Sequence, residues 1–230
     1  MAVNHALVVA VREGLARAGS PADAAPMQRY MKSQMPFHGV KAGPRRKLLK
    51  TIFDGHPLAS WRDLLATSRA LWTRATHREE RYATTDLLRL RRYREHVSTR
   101  AMPLYEELIV TGAWWDHVDE VASHLVRGAL DEEPGPVATT LRGWMASDDR
   151  WKRRTTIICQ LRRKADTDVP LLVEAIEAAR NDGDFFLRKA IGWALRDYAR
   201  IDPDWVEDYV AKTEAHLSPL SRREALKNLR

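Results

Sequence analysis

The sequence predicts an all-α protein built from consecutive short helices, and three observations lead to that fold class. Apolar residues recur at the helical period of about 3.6 residues along almost the whole chain. Alternating runs of β-branched residues between turns, which indicate strands, are absent from the sequence. Several segments also begin with the polar cap and proline that are typical of helix starts. We therefore expect helices packed on helices.

The helix starts can be identified in chain order. A polar residue stands just before a helix-starting proline segment at Ser20, Asp168 and Asp202. Ser221 and Glu224 have the spacing of a capping box, in which each side chain satisfies a free backbone N–H of the first turn. With the periodicity, these signals predict helices at about residues 4–18, 21–34, 44–54, 60–70, 77–91, 99–111, 114–127, 135–146, 150–164, 169–181, 184–200, 203–214 and 219–229.

A weak repeat of aromatic residues indicates that the helices stack in pairs. Trp115, Trp151 and Phe186 lie at or near predicted helix starts and are 36 and 35 residues apart, close to the period of helix-pair repeats. Stacked pairs make a continuous core and leave an extended concave surface. The proline-containing linker at residues 131–136 is too short to separate domains. The sequence thus predicts one helical-repeat domain over residues 1–230.

Composition limits the class of protein. With 230 residues, 44% of them apolar, the chain can bury a substantial core. The formal net charge of +7 favours an anionic partner. No uncharged apolar run is long enough for a membrane span and no signal peptide is evident, so we expect a soluble protein. The single cysteine, Cys159, has apolar neighbours, which predicts a packed thiol in a reducing cytoplasm.

Trp115 and Asp119 are the first residues that point to chemistry. Trp114, Val118 and Val121 fall on one apolar stripe of the predicted helix. Trp115 and Asp119 are neighbours at i and i+4 on the margin of that stripe, so an aromatic ring and a carboxylate project together. The alternative is an ordinary half-buried tryptophan beside a surface aspartate.

Two further residue groups are unusual for a helical core. Arg154 projects into the buried arc of its helix, where an arginine requires an acidic partner or a bound phosphate. Trp193 lies at the edge of the apolar face of the helix predicted at residues 184–200, one turn after Lys189. An aromatic face attracts a nearby cation, which includes a positively charged substrate group.

Basic residues provide a possible surface for phosphates. A cluster surrounds the predicted helix start near residue 44, and it includes Arg45, Arg46, Lys47 and Lys50. Such residues bind phosphates or simply form a solvated helix face. The sequence contains no cysteine, histidine and carboxylate spacing typical of zinc, no phosphate-binding glycine loop and no serine-hydrolase elbow. We therefore expect neither a metal site nor nucleotide or serine-esterase chemistry.

Several blocks resemble one known family, in the family's order along nearly the whole chain. The most specific are W-W-D-x-V-D, which contains Trp115 and Asp119, and K-A-I-G-W, which contains Lys189 and Trp193. The others are residues 30–32, 37–40, 45–50, 147–151 and 219–225. Together they resemble the AlkD-type alkylpurine DNA glycosylases, which belong to the DNA alkylation repair family.

The resemblance implies a HEAT-like solenoid whose concave basic face holds duplex DNA. It further implies hydrolysis that releases N3- and N7-alkylated purines in base excision repair, without a dedicated base-flipping pocket, metal or organic cofactor. Matched to the family's blocks, the catalytic positions are Trp115, Asp119 and Trp193. The positions expected to bind DNA are Tyr30, Arg45, Arg46, Lys47, Lys50, Arg154 and Lys189. We expect a cytoplasmic monomer that associates with the nucleoid when bound to DNA.

Two other functions fit the predicted scaffold. One is a catalytically silent helical-repeat protein that binds bent or branched DNA, although such a protein has no need of both Trp115 and Asp119. The other is a protein-interaction solenoid, a common use of helical repeats. A steep salt dependence of DNA binding opposes the second alternative.

Overall fold

The computed structural model describes residues 2–96 and 98–229. Within these ranges all regular elements are helical and no strand is present, which confirms the all-α prediction. The chain divides into two compact units, Met1–His96 and Val97–Arg230. The single domain expected over residues 1–230 stays a prediction.

Helices α1 to α5 form the first unit together with a final 3-10 segment. Their bounds are α1 His5–Arg17, α2 Pro21–Met31, α3 Ala42–Gly55, α4 Trp61–Thr73 and α5 Arg78–Leu88, followed by the 3-10 segment Arg91–His96. Leu15 of α1, Leu49 of α3 and Leu64 of α4 are almost completely buried, so these amphipathic helices share one apolar core.

Helices α6 to α14 form the second unit. Their bounds are α6 Met102–Gly112, α7 Trp115–Glu120, α8 Arg127–Glu132, α9 Pro134–Met145, α10 Arg150–Ile158, α11 Val169–Ala179, α12 Phe185–Tyr198, α13 Pro203–Lys212 and α14 Pro219–Ala225. Two 3-10 segments, Thr99–Ala101 and Lys164–Asp166, and the π-helical turn Val121–Val126 complete the unit. Its core includes Val118, Ile157 and Leu187, all wholly buried.

The helix caps explain where most of these helices begin. Three predicted caps are confirmed by side chains that accept first-turn N–H groups: Ser20, Asp168 and Asp202. The predicted capping box at Ser221 and Glu224 is wrong, because α14 begins three residues earlier with Ser218 as its cap. Ser221 lies inside the helix, where its hydroxyl donates to the backbone carbonyl of Arg188 at 2.9 Å. That serine therefore joins two helices.

The helix predicted at residues 114–127 is interrupted by the π-helical turn. The turn separates α7 from α8, and α8 continues to Glu132, so only Glu133 lies between α8 and α9. The linker predicted at residues 131–136 is therefore mostly helical. Helix α10 ends earlier than predicted, and Arg162 and Lys164 adopt positive φ angles of 68° and 59° beyond it. These left-handed residues are incompatible with a continuing α-helix.

A buried carboxylate organises the loop between α2 and α3. Glu79 is wholly buried and accepts backbone N–H groups from His38, Gly39 and Val40 at 2.8 to 3.0 Å. Gly39 has a φ of +87°, and a Cβ there would lie 2.1 Å from the carbonyl oxygen of Ser20. The loop thus requires glycine at this position and is tied to α5.

Close packing of α12 against α14 depends on Gly192. A Cβ at Gly192 would lie 2.4 Å from Cβ of Glu224 and 2.9 Å from the carbonyl oxygen of Ser221. Because Gly192 has no side chain, the backbones of α12 and α14 can pack directly against each other. This approach brings Glu224 beside α12.

The sequence also predicted a packed thiol at Cys159 and no membrane-spanning helix. Cys159 is wholly buried, and burial raises the pKa of its thiol to about 12, so the thiol is not activated as a nucleophile. None of the described helices combines the length and apolar character that crossing a membrane requires.

We predict opposite stability effects for two glycine-to-alanine substitutions. Gly192→Ala should lower the free energy of unfolding by about 1–3 kcal/mol, because α12 and α14 must move apart. Gly143→Ala is the matched control, since nothing lies within 4 Å of a Cβ there. It should raise the free energy of unfolding by about 0.5–1 kcal/mol through helix propensity. Urea denaturation measures both, and a Gly192→Ala protein as stable as the control would contradict the packing account.

Candidate functional site

The centre of the candidate site is an ion pair between Asp119 and Arg154. Nε of Arg154 donates to Oδ1 of Asp119, and Nη2 donates to Oδ2, both at 2.8 Å. Nη1 of Arg154 donates to the backbone carbonyl of Phe186 at 2.5 Å. The side chain of Arg154 is 2% exposed and that of Asp119 is 22% exposed. The carboxylate is thus the solvent-accessible end of a pair whose cation is buried.

The local sequence of α10 places Arg154 on a buried face. Asp149 caps the helix by accepting N–H groups of Trp151 and Lys152 at 2.8 and 2.9 Å, which fixes the register of the first turn. Trp151, Thr155 and Arg154 are then buried together, as the helical period predicts. Of the two partners considered for this arginine, the structure contains the acidic one. The contact with a phosphate stays a prediction.

Asp119 lies in the last turn of α7, directly before the π-helical turn. The hydroxyl of Ser123, inside that turn, donates to the backbone carbonyl of Asp119 at 2.6 Å. A π-helical turn widens the i to i+4 hydrogen-bond pattern to i+5, and such turns are frequent at functional sites. The helix irregularity therefore begins two residues after the one that carries the carboxylate.

The surroundings of Asp119 act on its pKa in opposite directions. Burial is the largest effect and raises the pKa above the ordinary value of 3.8. The hydrogen bonds and positive charge of Arg154 lower it, whereas the nearby charges of Asp116 and Glu120 raise it, and the net shift is upward. Asp119 is thus a stronger proton acceptor than an exposed aspartate.

Trp193 lies beside the ion pair and close to two cationic side chains. The Cζ atom of Arg154 is 5.3 Å from the centre of the Trp193 ring, and Nζ of Lys189 is 6.0 Å from it. Lys189 is held by Glu224, whose Oε1 lies 2.8 Å from the lysine Nζ, and Arg196 contacts the other carboxylate oxygen at 2.9 Å. The structure thus brings Trp193 and Arg154 together.

Glu224 is the residue of this network that sequence reasoning missed. Its spacing from Ser221 favoured a capping role, yet its side chain reaches across to α12 instead. Its neighbours, Lys189 and Arg196, lie 35 and 28 residues earlier in the chain. The signal that could have indicated the contact is Gly192, since glycine in a helix interior often marks close approach of another element.

Three aromatic residues near the ion pair pack against one another. Trp114 contacts Trp151 and Phe186, with ring centres 6.2 and 5.6 Å apart, and the Trp151 and Phe186 rings are 4.9 Å apart. Trp115 is the half-buried first residue of α7, one helical turn before Asp119. The i to i+4 spacing places Trp115 and Asp119 on one helix face.

The predicted DNA-binding residues of the first unit differ in exposure. Arg45 is buried, with its Nε donating to Asp86 at 3.0 Å and its guanidinium 4.7 Å from the centre of the Tyr82 ring. These contacts are typical of an arginine that stabilises the fold, and they leave little of the side chain exposed for DNA. The exposed predicted contacts are Tyr30, Arg46, Lys47 and Lys50. Among the described residues of this unit, Tyr30 is the most exposed large apolar side chain, at 73%.

The arrangement in the second unit offers a defined set of chemical groups. Asp119 supplies a carboxylate held by two charge-assisted hydrogen bonds, which fix its orientation. Trp193 supplies an electron-rich face beside it. A fixed carboxylate next to aromatic faces suits a reaction in which positive charge develops on the substrate.

Comparisons with known proteins agree with one another. A family model described as "DNA alkylation repair enzyme" matches residues 11–229. A solved structure from Enterococcus faecalis, described as a predicted DNA alkylation repair enzyme, is similar with a TM-score of 0.82 and 31% sequence identity. The match covers 92% of this chain and 96% of that one. No curated protein sequence matches the chain significantly.

The electrostatics of the pair predict how Asp119 titrates. By carboxyl-carbon NMR, its midpoint should lie above 3.8, because burial outweighs the effect of Arg154. Arg154→Met should raise the midpoint further, since it removes the group that favours the charged form. Glu120→Gln should lower it slightly, because a nearby negative charge is lost. A midpoint that falls in the Arg154→Met protein would contradict the coupling.

Proposed function

This chain belongs to the DNA alkylation repair enzyme family, and we propose that it is a DNA glycosylase that releases N3- and N7-alkylated purines from duplex DNA. The observation that carries the proposal is the Asp119 carboxylate, which Arg154 fixes at the edge of a buried ion pair beside Trp193. Membership of an alkylation repair family favours alkylated DNA as the substrate. The carboxylate and its aromatic neighbours favour cleavage of the N-glycosidic bond.

The chemistry of the lesion explains why these groups are sufficient. Alkylation at N3 or N7 gives the purine a positive charge, so the base leaves as a neutral molecule. When the N-glycosidic bond breaks, its electron pair moves to the base and positive charge develops on the deoxyribose, as in other glycoside hydrolyses. Water then forms the new bond to the anomeric carbon and loses a proton. No protein acid is needed for the departing base.

Asp119 has two functions in this mechanism. Its negative charge stabilises the positive sugar in the transition state. Its oxygen also accepts a hydrogen bond from the attacking water and takes up the proton, for which the raised pKa is favourable. Because Arg154 orients both oxygens, the carboxylate requires little reorganisation when the substrate binds.

Trp193 and Trp115 complete the reacting surface. An aromatic face attracts a cation by about 0.5–2 kcal/mol, depending on how far the cation is removed from water. We infer that the two rings contact the deoxyribose and the positively charged nucleotide while Asp119 faces the anomeric carbon. Such contacts require no pocket for a flipped base, so bulky alkyl groups are tolerated.

Arg154 and Lys189 are primarily positioning residues in this proposal. Arg154 already donates to both oxygens of Asp119 and to the Phe186 carbonyl, and its side chain is almost completely buried. A phosphate contact by Arg154 uses its remaining N–H groups and requires the site to open. Lys189 is held by Glu224 close to Trp193.

The exposed residues of the first unit are proposed to bind the DNA backbone. Arg46, Lys47 and Lys50 carry positive charges on the solvent-facing part of α3. Lys50 and Arg46 lie near carboxylates of Asp54 and Asp86, at 2.6 and 3.7 Å, and surface pairs of this kind are weak enough to exchange for a phosphate. Tyr30 offers an exposed ring for contact with the sugar or the backbone.

We predict that Asp119→Asn loses base release while it retains DNA binding. In single-turnover reactions with a duplex containing N7-methylguanine, release should fall at least about 100-fold, because the amide carries no charge and accepts protons poorly. Glu120→Gln is the matched control, since it removes the adjacent carboxylate, and it should act at close to the wild-type rate. Chromatography of the free base measures both.

The same experiment distinguishes the proposed enzyme from a silent DNA-binding protein. A wild-type chain that binds the methylated duplex but releases no base would refute glycosylase activity. Undiminished release by a folded Asp119→Asn protein would refute the role of the carboxylate. Urea midpoints of both variants establish that each is folded under the assay conditions.

A further inference from the structure

A second cluster of reactive side chains lies in the first unit, among residues to which the proposed function assigns no role. Nε2 of His38 is 3.1 Å from Oε1 of Glu80, and Nδ1 of His77 is 3.6 Å from the same oxygen. One donor atom from each residue lies within 4.8 Å of the others. The side chains of His38 and Glu80 are 9% and 3% exposed, whereas that of His77 is 32% exposed.

These donors are the types that bind zinc. Two imidazole nitrogens with one carboxylate oxygen form a common zinc ligand set, usually with water as the fourth ligand. With bonds of about 2.0–2.1 Å, tetrahedral ligand atoms lie roughly 3.3 Å apart. The two distances to Oε1 of Glu80 bracket that value. The partial exposure of His77 provides a route for the ion and for a bound water.

The surrounding structure fixes two of the three ligands. The backbone N–H of His38 donates to Glu79, which anchors the loop that carries His38 to α5. The N–H of Thr76 donates to Oε2 of Glu80 at 2.9 Å, and Nε of Arg12 lies 3.5 Å from that same oxygen. Oε1 of Glu80 faces the histidines and accepts hydrogen bonds from Nε2 of His38 and from the Thr76 hydroxyl, both at 3.1 Å. The Thr76 hydroxyl also lies 3.1 Å from Nδ1 of His77, so a bound metal replaces these hydrogen bonds.

The present ring geometry shows which ligand must move. The rings of His38 and His77 are stacked, with centres 3.7 Å apart and planes at 13°. An imidazole lone pair lies in the ring plane, so two parallel rings do not direct their lone pairs at one ion. His77 is the more exposed of the two and is the N-cap residue of α5, whose side chain makes no capping hydrogen bond, so its ring can tilt out of the stack.

We propose that His38, His77 and Glu80 bind one Zn²⁺ ion that ties the loop between α2 and α3 to the start of α5. The sequence alone did not indicate this site because His38 and His77 are 39 residues apart, far from the short spacings of zinc motifs. Binding of the ion stabilises the folded first unit, since the unfolded chain does not hold the three donors together.

The proposal is tested with the untagged full chain after treatment with a chelator. Calorimetric titration with Zn²⁺ should give one ion per chain, and Co²⁺ should give the visible absorption of a four-coordinate complex. His77→Ala should weaken Zn²⁺ binding at least about 10-fold. His216→Ala removes an exposed histidine of the second unit and is the matched control, with binding expected to equal that of wild type.

Thermal unfolding supplies a second readout that does not depend on enzyme activity. Zn²⁺ should raise the Tm of wild type and of His216→Ala, but not that of His77→Ala. If His77→Ala fails to fold, Glu80→Gln replaces it, because the amide keeps the shape and removes the charged ligand. Absence of stoichiometric binding to wild type, or equal binding by the ligand variant and the control, would overturn the site. Neither result bears on base release.

Discussion

The structure of the candidate site depends on one physical constraint, which is that Arg154 is buried and must be paired. An unpaired buried guanidinium costs several kcal/mol, whereas a bidentate carboxylate satisfies both its charge and its hydrogen bonds. Asp119 is that carboxylate, and the Phe186 carbonyl takes a further N–H. Helices α7, α10 and α12 are therefore joined at a single side chain.

In the proposed reaction, this constraint also explains how the Asp119 carboxylate is prepared for its role. Burial raises the pKa of Asp119, whereas Arg154 limits that rise and fixes both carboxylate oxygens. The carboxylate is thus oriented and partly shielded from water before a substrate arrives, and this preorganisation is the condition for strong electrostatic stabilisation. Trp193 packs against the same guanidinium, so its ring position follows from the same pairing.

The sequence predicted the helical order and the unusual residues but not the contacts between them. Periodicity marked Arg154 as a cation in a buried arc, and the i to i+4 rule joined Trp115 to Asp119. The partner of Arg154 lies 35 residues away, and only tertiary packing determines it. Local patterns also misled where long-range packing decided the outcome: Glu224 has capping-box spacing, but the close approach at Gly192 directs it to another helix.

We propose that Arg154 acts on base release through Asp119. A double-mutant cycle in single-turnover release of N7-methylguanine tests it most directly, with Asp119→Asn, Arg154→Met and the double variant all confirmed as folded. If Arg154 acts by positioning the carboxylate, the double variant should be about as slow as Asp119→Asn alone, because nothing remains to be positioned. If the two losses instead multiply, the residues act independently, and positioning of the carboxylate by Arg154 is refuted.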